Sequence, residues 1–364
     1  MAAHRRRQHL PVDVSRTRLY GFFSVSLYAG ELEVSVRHRT FLSAALALAV
    51  PVAILSAPLA ALAGQATGAR TPDGRPDLSG YWTNDTYTPL ERPVELADQA
   101  YFTEVEAAAN LRAHLAQLFG QPQDAVHYDD AIWQGENYSK EANRRTSLIN
   151  DPEDGRIPPL TPAAEARERA RAERVAYRGA SESAATRSLA ERCIAWGNVG
   201  PPMIPPTYNA NFQILQSAGH VVIYHEMIHD TRIIPLASPA HLGPAIRQQN
   251  GDSRGHWEGD TLVVETTNFT DQTNFRGPPA RTRQNIVASE HMRVIERFTL
   301  IDEGTIRYEF TVHDPATWTR PWSGEIAIRR FGGPLYEYAC HEGNYGLANI
   351  LSAARKEEEL RRSR

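Results

Sequence analysis

The chain has 364 residues, 41% of them hydrophobic and 23% charged, and 39 Lys plus Arg against 43 Asp plus Glu give a formal net charge of -4. These proportions belong to a globular protein of one to three domains. They exclude the basic footprint of a nucleic-acid binder, and bulk charge favours no acidic ligand, so function has to be read from local groups.

The first informative segment is 36–63. Arg37, His38 and Arg39 make a cationic start, residues 41–57 are almost wholly apolar, and Ala61-Leu62-Ala63 puts small residues where a signal peptidase reads. This predicts a secretory signal cut after Ala63 and a periplasmic or secreted mature protein with no stable membrane span. An uncleaved N-terminal anchor is the alternative, although Pro51 and Pro58 interrupt the apolar run. Residues 1–35 precede the signal, so translation is expected to begin near Val36, with the upstream stretch a mis-assigned extension. Export gives meaning to Cys193 and Cys340, the only cysteines. An oxidising compartment favours their pairing, worth about 4 to 5 kcal/mol in the chain-entropy picture. Two unpaired cysteines, or a Cys340 thiol nucleophile beside His341, are the alternatives.

Residues 64–77 read as a polar linker, and 78–364 as a single domain with a helical insertion around 90–195. Leu78 to Trp82 reads as a short strand. Residues 96–119 and 162–177 are rich in Ala, Glu, Arg and Leu and read as helices, the second opened by Thr161-Pro162. Residues 183–193 are expected to be a third helix. Past Tyr208 the apolar period becomes two. Strands are expected over 212–217, 220–224, 231–236, 255–257, 261–269, 292–300, 306–313, 325–331 and 335–340, separated by turns such as Glu258-Gly259-Asp260 and Asp302-Glu303-Gly304. A charged surface helix ends the chain. Eight or nine short strands in succession predict a mainly β fold, a barrel or a sandwich; closure removes exposed edges and favours an antiparallel up-and-down β-barrel with helical segments before it and a helix after it.

The polar groups gather at strand ends. His229, Asp230 and Arg232 flank one strand; Asp252, Arg254, His256 and Trp257 enter another; Asn268 leaves it. Arg320 and Trp322 belong to an aromatic and cationic loop, and His341, Glu342 and Asn344 follow Cys340. We expect His229, Asp230, His256 and Glu342 to transfer protons. Arg232, Arg254 and Arg320 are expected to hold ligand oxygens and Trp257 and Trp322 to flank the ligand, with Asp252, Asn268, His341 and Asn344 completing the pocket. Taken singly, Asp230 with Arg232 and Asp252 with Arg254 read equally as structural ion pairs. Glu296 shares an apolar face with Met292, Val294, Phe298 and Leu300, and is either a buried acid–base group or half of an inward ion pair. His225-Glu226-Met227-Ile228-His229 spells the zinc-protease string H-E-x-x-H, but its neighbours are strand-like, and on a strand the two histidines stand roughly 13 Å apart. No metal and no cofactor are therefore expected.

Gly80-Tyr81-Trp82 resembles the G-x-W that opens lipocalin-type barrels. Arg145 to Ile149, Asp154 to Leu160, Glu226 to Asp230, Gly251 to Phe269 and Tyr338 to Leu347 together resemble a large set of exported proteins of soil and aquatic bacteria. That resemblance implies export and carries no activity or catalytic residue over. The expectation is a small-molecule enzyme working by acid–base chemistry, as a lyase, isomerase, hydratase or hydrolase, on an oxygenated substrate. A lipocalin-like carrier of a hydrophobic ligand and an envelope scaffold are the rivals. N-terminal sequencing of the precursor should read from near Val36; a product that begins at Met1 refutes the late start.

Overall fold

The computed structural model describes residues 69–96, 98–119, 144–178, 181–195, 200–205, 209–237, 240–272, 274–275 and 286–363. The signal segment, its cleavage site and residues 1–35 lie outside the described residues. The elements are β1 (Gly80–Thr83), α1 (Glu104–Phe119), β2 (Ile149–Asp151), α2 (Pro162–Arg178), β3 (Asn211–Gln216), β4 (His220–His225) and β5 (Thr231–Pro235). They continue with β6 (Asp252–Glu258), β7 (Thr261–Thr267), β8 (Asn274–Phe275), β9 (Ile286–Val287), β10 (Arg293–Asp302), β11 (Thr305–His313), β12 (Trp322–Arg330) and α3 (Tyr345–Arg362).

Nine strands form one antiparallel sheet in the order β5-β4-β3-β1-β12-β11-β10-β7-β6, while β8 pairs only with β9. Wrapped into a cylinder, this order is an up-and-down meander in which the first strand meets the last: Trp82 is opposite Arg330. The expected antiparallel barrel is present and nearly closed. Its nine strands depart from the eight of a lipocalin. β1 is too short to cover β12 alone, and β2, from within the insertion, pairs with Ser323 and Gly324 farther along the same strand.

Alternation puts one face of each strand inside. Val294, Phe298, Leu300, Ile306, Tyr308, Phe310, Trp322, Ile326 and Ile328 are all buried, together with Trp82 on β1 and Phe212 on β3. These side chains form one packed cluster inside the cylinder. At the base Gly80 has φ of +129°, and a Cβ there would lie 2.0 Å from the Arg330 guanidinium. Its absence lets Arg330 lie 3.9 Å from the Trp82 ring centroid and bond the Ser79 carbonyl at 2.6 Å.

Eight successive antiparallel pairings lead from β5 round to β6. An even number of reversals leaves β5 and β6 running the same way. No hairpin joins parallel neighbours, so the chain must cross over between them, and among the described residues no ladder closes this seam. At its lower end the seam is apolar: a Cβ on Gly255 would come within 2.9 Å of the Ile234 and Leu236 side chains, so only glycine allows that approach.

The helices follow their caps. Thr103 and Glu106 exchange side chain–backbone bonds at the start of α1, at 3.3 and 2.8 Å, and the Thr161 hydroxyl accepts the Ala164 N–H before α2. Two expectations are corrected. Residues 183–193 hold only the 3-10 turn Ala184–Thr186, because Thr186, Ser188 and Glu191 side chains bond nearby backbone and compete with a helix. Residues 335–340 are not a strand: both edges of β12 are taken, and the segment returns to give the Tyr336 N–H to Glu226 at 2.9 Å.

Cys193 and Cys340 are bonded, with sulfurs 2.00 Å apart across a separation of 147 residues. Replacing both by serine should lower the unfolding free energy by about 2 to 5 kcal/mol in denaturant titration; an unchanged midpoint would show that the bond holds nothing.

Candidate functional site at the barrel seam

The registers place Thr83, Asn211, His225, Thr231, Asp252, Thr267, Arg293, His313 and Trp322 at one rim. The long connections also gather there, cross-tied by bonds such as Ser289 Oγ to Asp314 at 2.7 Å and Gln248 N–H to the Asn268 carbonyl at 3.0 Å. His229, Asp230, Asp252, Asn268 and Trp322 therefore share one end of the barrel, as rim loops of a meander must.

Beneath this rim the interior is polar at one place. Glu296 on β10 is fully buried and takes two bonds from Arg232 on β5, at 2.6 and 3.1 Å. The Tyr308 hydroxyl donates to Glu296 at 2.8 Å and accepts the Met203 N–H at 2.9 Å. Burial, with the Glu296 charge beside it, holds the Tyr308 phenol well above its ordinary value. Arg232 also reaches across the seam to Ser253 Oγ at 3.4 Å, and Ser253 bonds Thr266 at 2.8 Å. Glu296 is thus half of an inward ion pair, the second of its two expected roles. Losing either partner would strand a buried charge, a cost of about 3 to 5 kcal/mol.

Above the pair lies a cleft of about 430 Å³. One side is β5, from Asp230 to Ile233; the other is Gln248 to Ser253, and Ile194, next to the disulfide, adds an apolar edge. Asp230 is half-buried, accepts the Thr231 N–H at 2.7 Å and is bonded by the Asn250 carboxamide. The Arg232 Nε has no hydrogen-bond partner among the described residues. Asp230, Arg232 and Asp252 are the predicted residues that the structure brings to one cavity.

Asp252 belongs to the crossover as much as to the cleft. Its carboxylate binds His241 Nδ1 at 3.0 Å, the Leu242 N–H at 2.9 Å and Arg254 at 2.6 Å. Asn268, with φ of +58°, donates to the Leu242 carbonyl at 2.8 Å. Asp252, Arg254 and Asn268 fasten the crossing segment to the outside of the barrel. Arg320 is paired with Asp151 at 2.6 Å. All three arginines expected to grip a ligand are therefore committed to carboxylates.

The remaining candidates stand elsewhere. His256 projects from the outer face of β6 to Glu258 at 3.2 Å. Trp257 points inward near the opposite rim, 5.9 Å under Arg75, and does not flank the cleft. Trp322 is fully buried, edge-on to Phe310 and Trp318, and does not flank it either. His341 and Glu342 are exposed beyond Cys340, and Asn344 caps α3 while bonding the Glu191 carbonyl at 2.8 Å. No hydrogen bond or ion pair among the described residues joins His229, His256 and Glu342. The two histidines of H-E-x-x-H separate by environment: His225 is buried, 5.4 Å from Phe212, whereas His229 is exposed, with Nδ1 3.0 Å from the Tyr224 hydroxyl.

Two buried groups give no sequence signal. Asp85 follows β1 in what reads as a polar turn, and burial pushes its carboxyl up to about 7 against the opposing Thr86 N–H. His225 is driven down to about 3 by burial and by the nearby Arg232 charge, and its Nε2 is unpaired among the described residues. No family model matches the chain, and no curated protein or solved structure is similar to it. Below pH 6.5 the unfolded chain protonates His225, while the folded chain does so only near pH 3. Stability therefore falls as pH drops through that window. His225→Leu should flatten this acid limb by a few kcal/mol, on the order expected from one such shift, in urea midpoints measured against pH; an unaltered limb would refute a buried neutral imidazole.

Proposed function

We propose that this chain is an exported enzyme that binds a small, oxygenated polar molecule in the seam cleft and acts on it by acid–base chemistry. Export is supported by the apolar run 41–57, the Ala-x-Ala site and the Cys193–Cys340 bond. No helix among the described residues is long and apolar enough to cross a membrane, which agrees with this.

One observation carries the chemical reading: Asp230 lines a cavity together with Arg232, which is held from behind by two bonds to the buried Glu296. A carboxylate held by one backbone N–H and one carboxamide keeps lone pairs to spare for a substrate proton. Arg232 is fixed by Glu296, and its Nε supplies a donor for a ligand oxygen.

Polar metabolite fractions incubated with the protein and followed by mass spectrometry should show a conversion. Asp230→Asn should slow it by roughly 10² to 10⁴-fold while leaving KM little changed. A conversion that proceeds equally in Asp230→Asn refutes Asp230 as the proton-transfer group.

A further inference from the structure

We propose that the seam cleft takes an extended, peptide-like ligand that pairs with the edge of β5 as a short tenth strand and carries a basic side chain beside Asp230. This rests on the reading of the cleft as a ligand site and names the ligand's class.

The first support is the edge itself. His225 N–H bonds the Asp230 carbonyl at 2.8 Å and Leu236 N–H bonds the Gly219 carbonyl at 2.9 Å. Antiparallel ladders alternate, so the residues of β5 that bond β4 are Arg232 and Ile234. Thr231 and Ile233 turn their N–H and C=O groups the other way, into the seam, where no strand of the described residues pairs with them. The Thr231 N–H is already taken by Asp230. The Thr231 carbonyl and both backbone groups of Ile233 remain presented to the cleft they line. Pro235, with no N–H, ends the edge, and Ile234, Leu236 and Gly255 close the seam below it. The slot is therefore about three residues long, and the Ile233 side chain at its side is 61% exposed.

Direction is the second support. β5 and β6 are parallel, so a ligand strand laid on the β5 edge in the opposite sense runs antiparallel to both. Main-chain pairing of this kind is an established mode of peptide recognition.

Charge is the third. Arg232 is neutralised by Glu296 and Arg254 by Asp252. Asp230 faces the cleft with only neutral donors on it. The slot therefore repels an acidic ligand and favours a basic one.

The test is calorimetric titration of the whole secreted protein with the capped pentapeptide Thr-Lys-Thr-Lys-Thr, its analogue N-methylated at alternate amides, and the Glu-for-Lys peptide. The Lys peptide should bind saturably, and the other two at least roughly tenfold more weakly. Ile233→Pro should cost a similar factor and Ile233→Ala little; the N-methylated ligand keeps the test valid should the proline variant fail to fold. Asp230→Asn should erase the preference for Lys over Glu while leaving the N-methyl penalty intact. Absence of saturable binding, or equal binding of the N-methylated peptide, overturns the proposal. A peptide that fails while Asp230-dependent turnover of a small metabolite persists overturns the strand alone. Amide-dependent binding without any Asp230-dependent chemistry overturns the acid–base reading instead.

Discussion

A closed cylinder of strands that alternate in direction needs an even number of them, and this barrel has nine. One neighbouring pair must then be parallel, and the register chain assigns it to β5 and β6. Most of what is distinctive in the molecule answers that parity. The chain must cross over between β5 and β6 because parallel neighbours have no hairpin. Asp252, Arg254, His241 and Asn268 are occupied in fastening that crossover to the wall. The Arg232–Glu296 pair ties β5 to β10 through the interior, and the Arg232–Ser253 contact spans the seam where backbone bonds are missing. A buried ion pair contributes little net stability over an apolar packing, but it specifies which groups meet. Here it specifies the geometry of a seam that the ladder leaves undetermined.

The barrel was legible because a two-residue period is a direct imprint of a wall with one dry face. Met292, Val294, Glu296, Phe298 and Leu300 are buried in the register their spacing predicts. Where side chains bond locally, the pattern misleads. Residues 183–193 have helical composition, yet Ser188 and Thr186 spend their hydroxyls on nearby groups. Residues 335–340 have strand-like composition but meet no open edge. Period and propensity report what a segment prefers, not whether a partner is vacant.

The site was legible only in part, for a related reason. The candidates' place at strand ends was readable from the period, and the meander then carries His229, Asp230, Asp252 and Asn268 to one rim. Which of them face a cavity depends on face parity and on what the crossover covers. His256 lies one residue out of phase with Gly255 and so points outward. Trp322 has the right residue type for a ligand wall but lies in the core. Asp85 and His225 owe their perturbed protonation to burial by segments distant in sequence, which no local string encodes.

The pairing of β1 with β12 has a consequence for the order of assembly. The wall can be completed only after the last strand has been made, since its first strand waits for a partner at the far end of the chain. The single disulfide obeys the same timing, because Cys193 has no other cysteine to meet until Cys340 arrives. Contacts of such long sequence separation form slowly. A polypeptide threaded through a narrow channel, as the proposed export requires, would thus remain unsealed during passage, and both its cylinder and its covalent clasp would set on the far side.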